Sequence, residues 1–110
     1  MSGCVGGHTV RGYPVASGGN AARGVQVIQQ FRCGACHTIK GINGANGVFG
    51  PPLIIFSQQS FIAGELPNTP DNLALWIRVP QSVKPKTAMP NLGLSETQAR
   101  DVTAYLYTLR

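Results

Sequence analysis

Three windows of the chain repeat apolar side chains at helical spacing. In the first, Asn20 is a good N-cap and Gly24, Val25, Ile28 and Phe31 follow on one face, which predicts a helix from Asn20 up to the cysteine at position 33. In the second, Thr69-Pro70-Asp71 offers a capping hydroxyl, a proline at the first helical position and an acidic first turn. Leu73, Trp76 and Ile77 form its buried stripe, and Pro80 is expected to end it. In the third, Ser95-Glu96-Thr97-Gln98 reads as a capping box, and Val102, Tyr105, Leu106 and Leu109 recur at i, i+3, i+4 and i+7.

Elsewhere the pattern breaks down. Residues 38–68 carry glycines at 41, 44, 47, 50 and 64 and prolines at 51, 52 and 67, which predicts a long irregular loop. No window shows strand alternation with hairpin turns. Residues 1–19 hold six glycines and few large apolar side chains, so they are expected as a flexible leader before a domain at 20–110. The predicted class is all-α, with three or so helices joined by long loops and no internal repeat.

Composition sharpens this picture. A chain of 110 residues fits one domain and excludes two. Hydrophobic residues reach 43% while charged ones reach only 12%, about half the usual ~25%, so something apolar is expected to fill a core wrapped by loops. The longest apolar runs resemble Leu53-Ile54-Ile55-Phe56, far short of the ~20 residues of a membrane helix. Residues 1–19 lack the charged and apolar regions of a signal peptide. The net charge of +5 permits an anionic partner, but the basic residues are scattered without a Lys/Arg run or aromatic platform, which argues against nucleic acid.

Candidate chemistry lies in Cys33-Gly34-Ala35-Cys36-His37, a C-x-x-C-H motif that reads as covalent attachment of one c-type haem. Two thiols at this spacing reach the two vinyl groups while His37 approaches the iron from the same side. A zinc site needs about four ligands, and beyond the motif only Cys4 and His8 remain, both in the leader. A redox dithiol expects a βαβ context that this chain does not offer. For the sixth iron position the candidates are His8 and Met89. Met89 lies between Ala88 and Pro90 in a polar loop, a poor place for core filler, and 52 residues after His37 it has enough chain to pass around a haem edge. His/Met ligation leaves no open position and favours the ferrous state, which is electron-carrier chemistry.

The chain resembles class I c-type cytochromes from Asn20 to Arg110, through C-x-x-C-H, Gly50-Pro51-Pro52-Leu53, Leu73-x-x-Trp76-Ile77-x-x-Pro80 and Thr87-Ala88-Met89-Pro90. More narrowly, Ile62-Ala63-Gly64-Glu65-Leu66-Pro67-Asn68-Thr69-Pro70 and Met89-Pro90-Asn91-Leu92-Gly93-Leu94 resemble the cytochrome c domain of caa3-type oxidase subunit II. The resemblance implies a cytochrome c fold around one haem c joined through Cys33 and Cys36, with His37 and Met89 on the iron. It further implies that the Pro51 carbonyl accepts from the His37 ring, that Trp76 packs near the methionine sulfur, and that Thr87 bonds a haem propionate. Against these stand plainer roles: a stiff turn, an ordinary core aromatic and an exposed loop threonine. Gly24 and Tyr105 match a contact between the first and last helices. Lys86 departs from the family, where glycine is frequent.

The expected function is one-electron transfer to a terminal oxidase, by an electron carrier rather than an enzyme, at the periplasmic or outer face of a bacterial membrane. The alternative is a ligand-binding haem protein, a gas sensor or peroxidase-like enzyme, which requires Met89 to be off the iron. Arg32, Lys40, Lys84 and Lys86 are expected around the haem edge, either as a docking rim for an acidic oxidase surface or as solvated charges. Cys4, preceded by Ser2-Gly3, resembles the end of a lipoprotein cleavage site, which implies a lipid tether; a free thiol is the alternative. Free-standing carrier and fused oxidase domain both remain open, with a monomer as the default state.

Overall fold

The computed structural model describes residues 7–10, 13–16, 18–48, 50, 52–54 and 56–109. Cys4 and Pro51, two of the candidate site residues, lie outside the described residues. The elements run β1 (Gly7–Val10), β2 (Tyr13–Ala16), α1 (Ala21–Gln30), β3 (Phe61–Ile62), β4 (Leu66–Pro67), α2 (Pro70–Arg78), α3 (Pro80–Val83) and α4 (Glu96–Leu106), with single 3-10 turns at Cys33–Ala35 and Phe56–Gln58.

All three anticipated caps form. The Asn20 side chain accepts from the Arg23 N–H at 2.9 Å and that of Thr69 from the Asn72 N–H at 3.2 Å. At α4 the box is reciprocal: the Gln98 N–H donates to Ser95 Oγ and the Ser95 N–H donates to Gln98 Oε1, at 3.1 and 2.9 Å. Each satisfies an amide that the first turn of a helix leaves without an intrahelical partner.

The frame is the pair α1 and α4, joined where Gly24 meets α4. A methyl group there would overlap the Asp101 carbonyl and sit 3.2 Å from Tyr105 Cβ, so only a missing side chain permits this approach. Asp101 is buried, accepts from the Asn20 N–H at 2.8 Å and pairs with Arg23 at 3.1 Å, locking the start of α1 to the middle of α4. Val27 and Ile28 of α1, Leu73, Ala74 and Ile77 of α2, and Ala99, Val102 and Leu106 of α4 meet in one core. Arg100 ties α4 to α2 through Asp71 at 2.6 Å.

Two features depart from the periodicity. Pro80 ends α2 but also opens α3, because its fixed φ and missing N–H suit a first helical position as well as a stop. Two short hairpins form where no strands were expected: β1 pairs with β2 and β3 with β4, both antiparallel. β3 and β4 have two residues each, too few for alternation to be read. Their turn is closed by the Glu65 N–H donating to the Ile62 carbonyl at 2.9 Å, with Ala63 and Gly64 at φ of 53° and 72°. Positive φ at both central positions is the turn that favours Asn-Gly, and alanine there is strained. Ala63→Asn is therefore expected to raise stability by about 0.5–1 kcal/mol, read as a higher denaturant midpoint with unchanged slope.

The C-terminal turn is anchored by buried polar groups. The Tyr107 hydroxyl donates to Asn68 Oδ1 at 2.5 Å, Asn68 Nδ2 donates to the Phe56 and Gln59 carbonyls at 3.1 and 2.8 Å, and Ser57 Oγ donates to the Leu109 carbonyl at 2.7 Å. Burial pushes the Tyr107 phenol far above the usual tyrosine range, and Tyr105 is raised for the same reason. An unfolded tyrosine ionises near pH 10 while the folded phenol keeps its proton, so stability falls as pH rises above about 10. The denaturant midpoint should drop on going from about pH 9 to 11. In Tyr107→Phe that drop should shrink, at a neutral-pH cost of about 1 kcal/mol for the lost hydrogen bond.

Candidate haem cleft

The cysteine motif is shaped by the way α1 stops. The helix ends at Gln30, three residues before the expected point, and Arg32 takes a left-handed conformation at φ 58° and ψ 38°. This bend turns the chain into the 3-10 turn at Cys33, where the N–H groups of Cys36 and His37 both donate to the Cys33 carbonyl, at 3.2 and 3.1 Å. One tight turn thus carries both thiols and the imidazole.

The loop that follows folds back over the motif. The Gly47 N–H donates to the Gly34 carbonyl at 3.0 Å and the Gly50 N–H to the Cys36 carbonyl at 2.7 Å. Leu53 and Thr38 close the loop base, with the Leu53 N–H donating to the Thr38 carbonyl at 2.6 Å. Gly50 consequently lies flat against the imidazole: a methyl group there would stand 2.7 Å from Nδ1 and 2.8 Å from Nε2 of His37.

An apolar cleft opens between α1, this loop, α2, the segment after α3, and α4. Fourteen residues line it, and all are hydrophobic except Cys33 and His37. Ile28 comes from α1, Ile39 and Leu53 from the loop, Leu73, Trp76 and Ile77 from α2, and Val102 and Leu106 from α4. Met89, Leu92 and Leu94 close the remaining wall. Four of the expected site residues, Cys33, His37, Trp76 and Met89, therefore share one cavity. Burial pushes the Cys33 thiol up from the ordinary cysteine range, whereas Cys36 is exposed and does not line the cleft.

The other expected residues fall around it. Thr87 does not line the cleft, but its Oγ1 accepts from the Met89 N–H at 3.2 Å, which leaves the hydroxyl proton available to another acceptor. Lys84 Nζ donates to the Ala63 carbonyl at 3.3 Å, joining the methionine segment to the β3–β4 turn. Lys84, Lys86, Arg32 and Lys40 are all exposed. Arg32 and Gly34 belong to a second recess that shares only Ile28 with the cleft. Among the described residues, Asp71 and Glu96 share Arg100 and Asp101 pairs with Arg23, so three of the four Asp and Glu side chains are engaged outside the motif and the methionine segment.

A family model for cytochrome c matches residues 21–110, the span that holds α1, the motif, the cleft and α4. The chain belongs to the cytochrome c family. The match and the helical frame together make it a class I c-type cytochrome, all-α, whose family carries covalently bound haem c and performs electron transfer. Among curated relatives, cytochrome c oxidase subunit 2 of Alkalihalophilus pseudofirmus is 37% identical over 91 residues, covering 82% of this chain and 26% of the relative. Cytochrome c oxidase subunit 2 of Bacillus sp. strain PS3 is 34% identical over 101 residues, 88% of this chain and 27% of the relative. The chain spans about a quarter of the length of these relatives.

The residues present fit a haem c. The cleft offers hydrocarbon on every side except where an imidazole and a thiol enter from one segment and a thioether from another. Imidazole and thioether are the donor types that hold a six-coordinate, low-spin haem iron. Gly50 keeps the imidazole face clear of any side chain. Sequence reasoning did not pick out Gly50, Leu92, Leu94 or Phe56 as site residues. The Leu92-Gly93-Leu94 pair of apolar residues in an otherwise polar loop was the available signal, whereas Gly50 depends on loop closure that no local pattern encodes.

Proposed function

We propose that this cytochrome c is an electron carrier with His37 and Met89 as axial ligands and one haem c held by thioethers to Cys33 and Cys36. The observation that carries the reading is the shared apolar cleft of His37, Cys33 and Met89. The haem supplies the one-electron Fe(III)/Fe(II) couple. The chain's own part is to fix both ligands and keep water away from them. His37 is held by the motif turn and by Gly50, with the Pro51 carbonyl as the proposed acceptor for its ring N–H. Met89 is positioned by its N–H bond to Thr87, whose remaining proton is available to a propionate. Trp76 packs its ring in the same cavity. Low-dielectric walls favour the less charged ferrous state, and the soft thioether acts in the same direction.

The electron acceptor proposed is a terminal oxidase, with the chain serving either as a free carrier or as the cytochrome domain of a larger subunit. Both matched relatives bear the name cytochrome c oxidase subunit 2, which supports that partner. The proposed location is the periplasm or the outer face of the membrane, with a lipid on Cys4 as the tether of a free form. Among the described residues no helix is long and apolar enough to cross a membrane.

Charge supports docking on an acidic surface. Arg32, Lys40, Lys84 and Lys86 flank the motif and the methionine segment, and among the described residues none pairs with a carboxylate. Lys86→Glu is expected to slow electron transfer to an acidic partner several-fold at low salt, with the gap closing as ionic strength rises. Lys84→Glu should slow it similarly while also loosening the contact with Ala63. Rates that ignore both salt and charge reversal would remove the docking role.

The deciding experiment is an optical spectrum of the ferric and ferrous protein, with carbon monoxide added to the ferrous form. A low-spin spectrum with the far-red sulfur-to-iron band, unchanged by carbon monoxide, is expected. Ready binding of carbon monoxide would instead make the chain a ligand-binding haem protein.

A further inference from the structure

The segment that carries Met89 has its backbone support on one side only, where the Lys84 N–H donates to the Pro80 carbonyl and the Thr87 N–H to the Lys84 carbonyl, both at 2.9 Å. From Lys84 to Ser95 it forms no helix or strand, and prolines at 85 and 90 deny it two amide donors. Among the described residues, residues 90–94 make a single hydrogen bond, and it comes from a side chain: Asn91 Oδ1 accepts the Gln81 N–H at 3.3 Å. The donor is the first amide N–H of α3, since Pro80 has none, and the first turn of a helix leaves it without an intrahelical partner. Val79 stands at the N-cap position of α3 and has no side-chain oxygen with which to cap it. Asn91 supplies the missing cap from ten residues downstream.

The α2–α3 junction to which Asn91 is fastened is rigid. Pro80 is buried, the Val79 N–H donates to the Leu75 carbonyl at 2.9 Å, and the preceding helix lines the cleft through Leu73, Trp76 and Ile77. Asn91 stands two residues beyond Met89 and one before Leu92, both of which line the cleft. The cap therefore joins the methionine wall to the α2 wall.

We infer that Asn91 is a positioning residue for Met89, a latch that holds the methionine segment closed over the cleft and sets how readily an external ligand takes the iron's sixth position. The inference rests on the proposed ligation by Met89. With Met89 as a ligand, movement of the segment away from α3 to free the thioether would break the Gln81–Asn91 bond. Removing the bond lowers the free energy of the open state relative to the closed one, and ligand affinity rises in proportion to the open population.

The test is imidazole titration of the ferric holoprotein in wild type, Asn91→Leu and Asn91→Asp, with the sulfur-to-iron band and the denaturant midpoint read for each. Asn91→Leu keeps the size but loses the acceptor, and should bind imidazole about three- to ten-fold more tightly, the range of one net hydrogen bond. Asn91→Asp restores a capping oxygen and should bring affinity back to within about two-fold of wild type. Unchanged imidazole affinity in Asn91→Leu overturns the latch, whether or not the denaturant midpoint falls. Equal shifts in the leucine and aspartate variants overturn it too. A wild-type protein without the sulfur band overturns Met89 ligation and the latch with it, a result seen before any variant is compared.

Discussion

Met89→Leu is expected to turn an iron closed to external ligands into one that binds carbon monoxide stoichiometrically in the ferrous state. The far-red sulfur band should vanish and the reduction potential should fall, because the thioether that favours the ferrous state is gone. Leucine nearly conserves volume, and such swaps usually cost less than about 1.5 kcal/mol, so the fold should survive and the change can be assigned to the lost sulfur. Nothing else in the cleft replaces it. The remaining lining is hydrocarbon apart from His37, Cys33 and Trp76, and an indole N–H donates but does not ligate. Met89→His should restore a low-spin, carbon monoxide-resistant iron at a lower potential and without the sulfur band. Retention of the band in Met89→Leu would mean that the ligand lies elsewhere.

That prediction draws on parts of the site that local sequence already exposed. Caps are local chemistry: Asn20, Thr69 with Pro70, and Ser95 with Gln98 act on amides three residues away, and all three formed as read. The C-x-x-C-H turn is equally local, and Met89 stood out because a soft, apolar side chain was bracketed by prolines. The end of α1 was not legible, since an arginine gives no sign that it will adopt a left-handed conformation. The β3–β4 hairpin was missed for a similar reason: its turn uses an alanine where asparagine would have announced it. Residues whose role depends on distant chain segments were the hardest to see. Gly50 meets His37 only after residues 38–53 have closed, and Asn91 caps α3, a helix that opens at a proline expected only to end α2.

The distribution of charge follows from the same frame. Arg23 pairs with Asp101 and Arg100 with Asp71, contacts that fasten α1 and α2 to α4, and Arg100 also pairs with Glu96 within α4. Packing the helical frame therefore engages three of the four Asp and Glu side chains, while Arg32, Lys40, Lys84 and Lys86, beside the motif and in the methionine segment, pair with none among the described residues. A single set of ion pairs both closes the frame and leaves the cleft surroundings basic.

Gly50→Ala should have the second large effect, through the proposed histidine ligand. The added methyl would sit 2.7 Å from Nδ1 and 2.8 Å from Nε2 of His37, well inside contact distance. Neither partner retreats easily. The Gly50 N–H is tied to the Cys36 carbonyl at 2.7 Å, and the His37 N–H is tied to the Cys33 carbonyl at 3.1 Å. Overpacking is expected to cost about 1–3 kcal/mol and, with the ring on the iron as proposed, to tilt the imidazole from its ligating position. Holoprotein yield should fall, and the ferric spectrum should gain a high-spin component. Gly44→Ala provides the comparison: its φ of 78° strains an alanine, but no atom lies within 4 Å of the added methyl. It should lose about 1–2 kcal/mol of stability with no spectral change. If the two variants lose similar stability and only Gly50→Ala alters the iron spectrum, close approach of the Gly50 backbone to the imidazole is a requirement of ligation and not merely of folding.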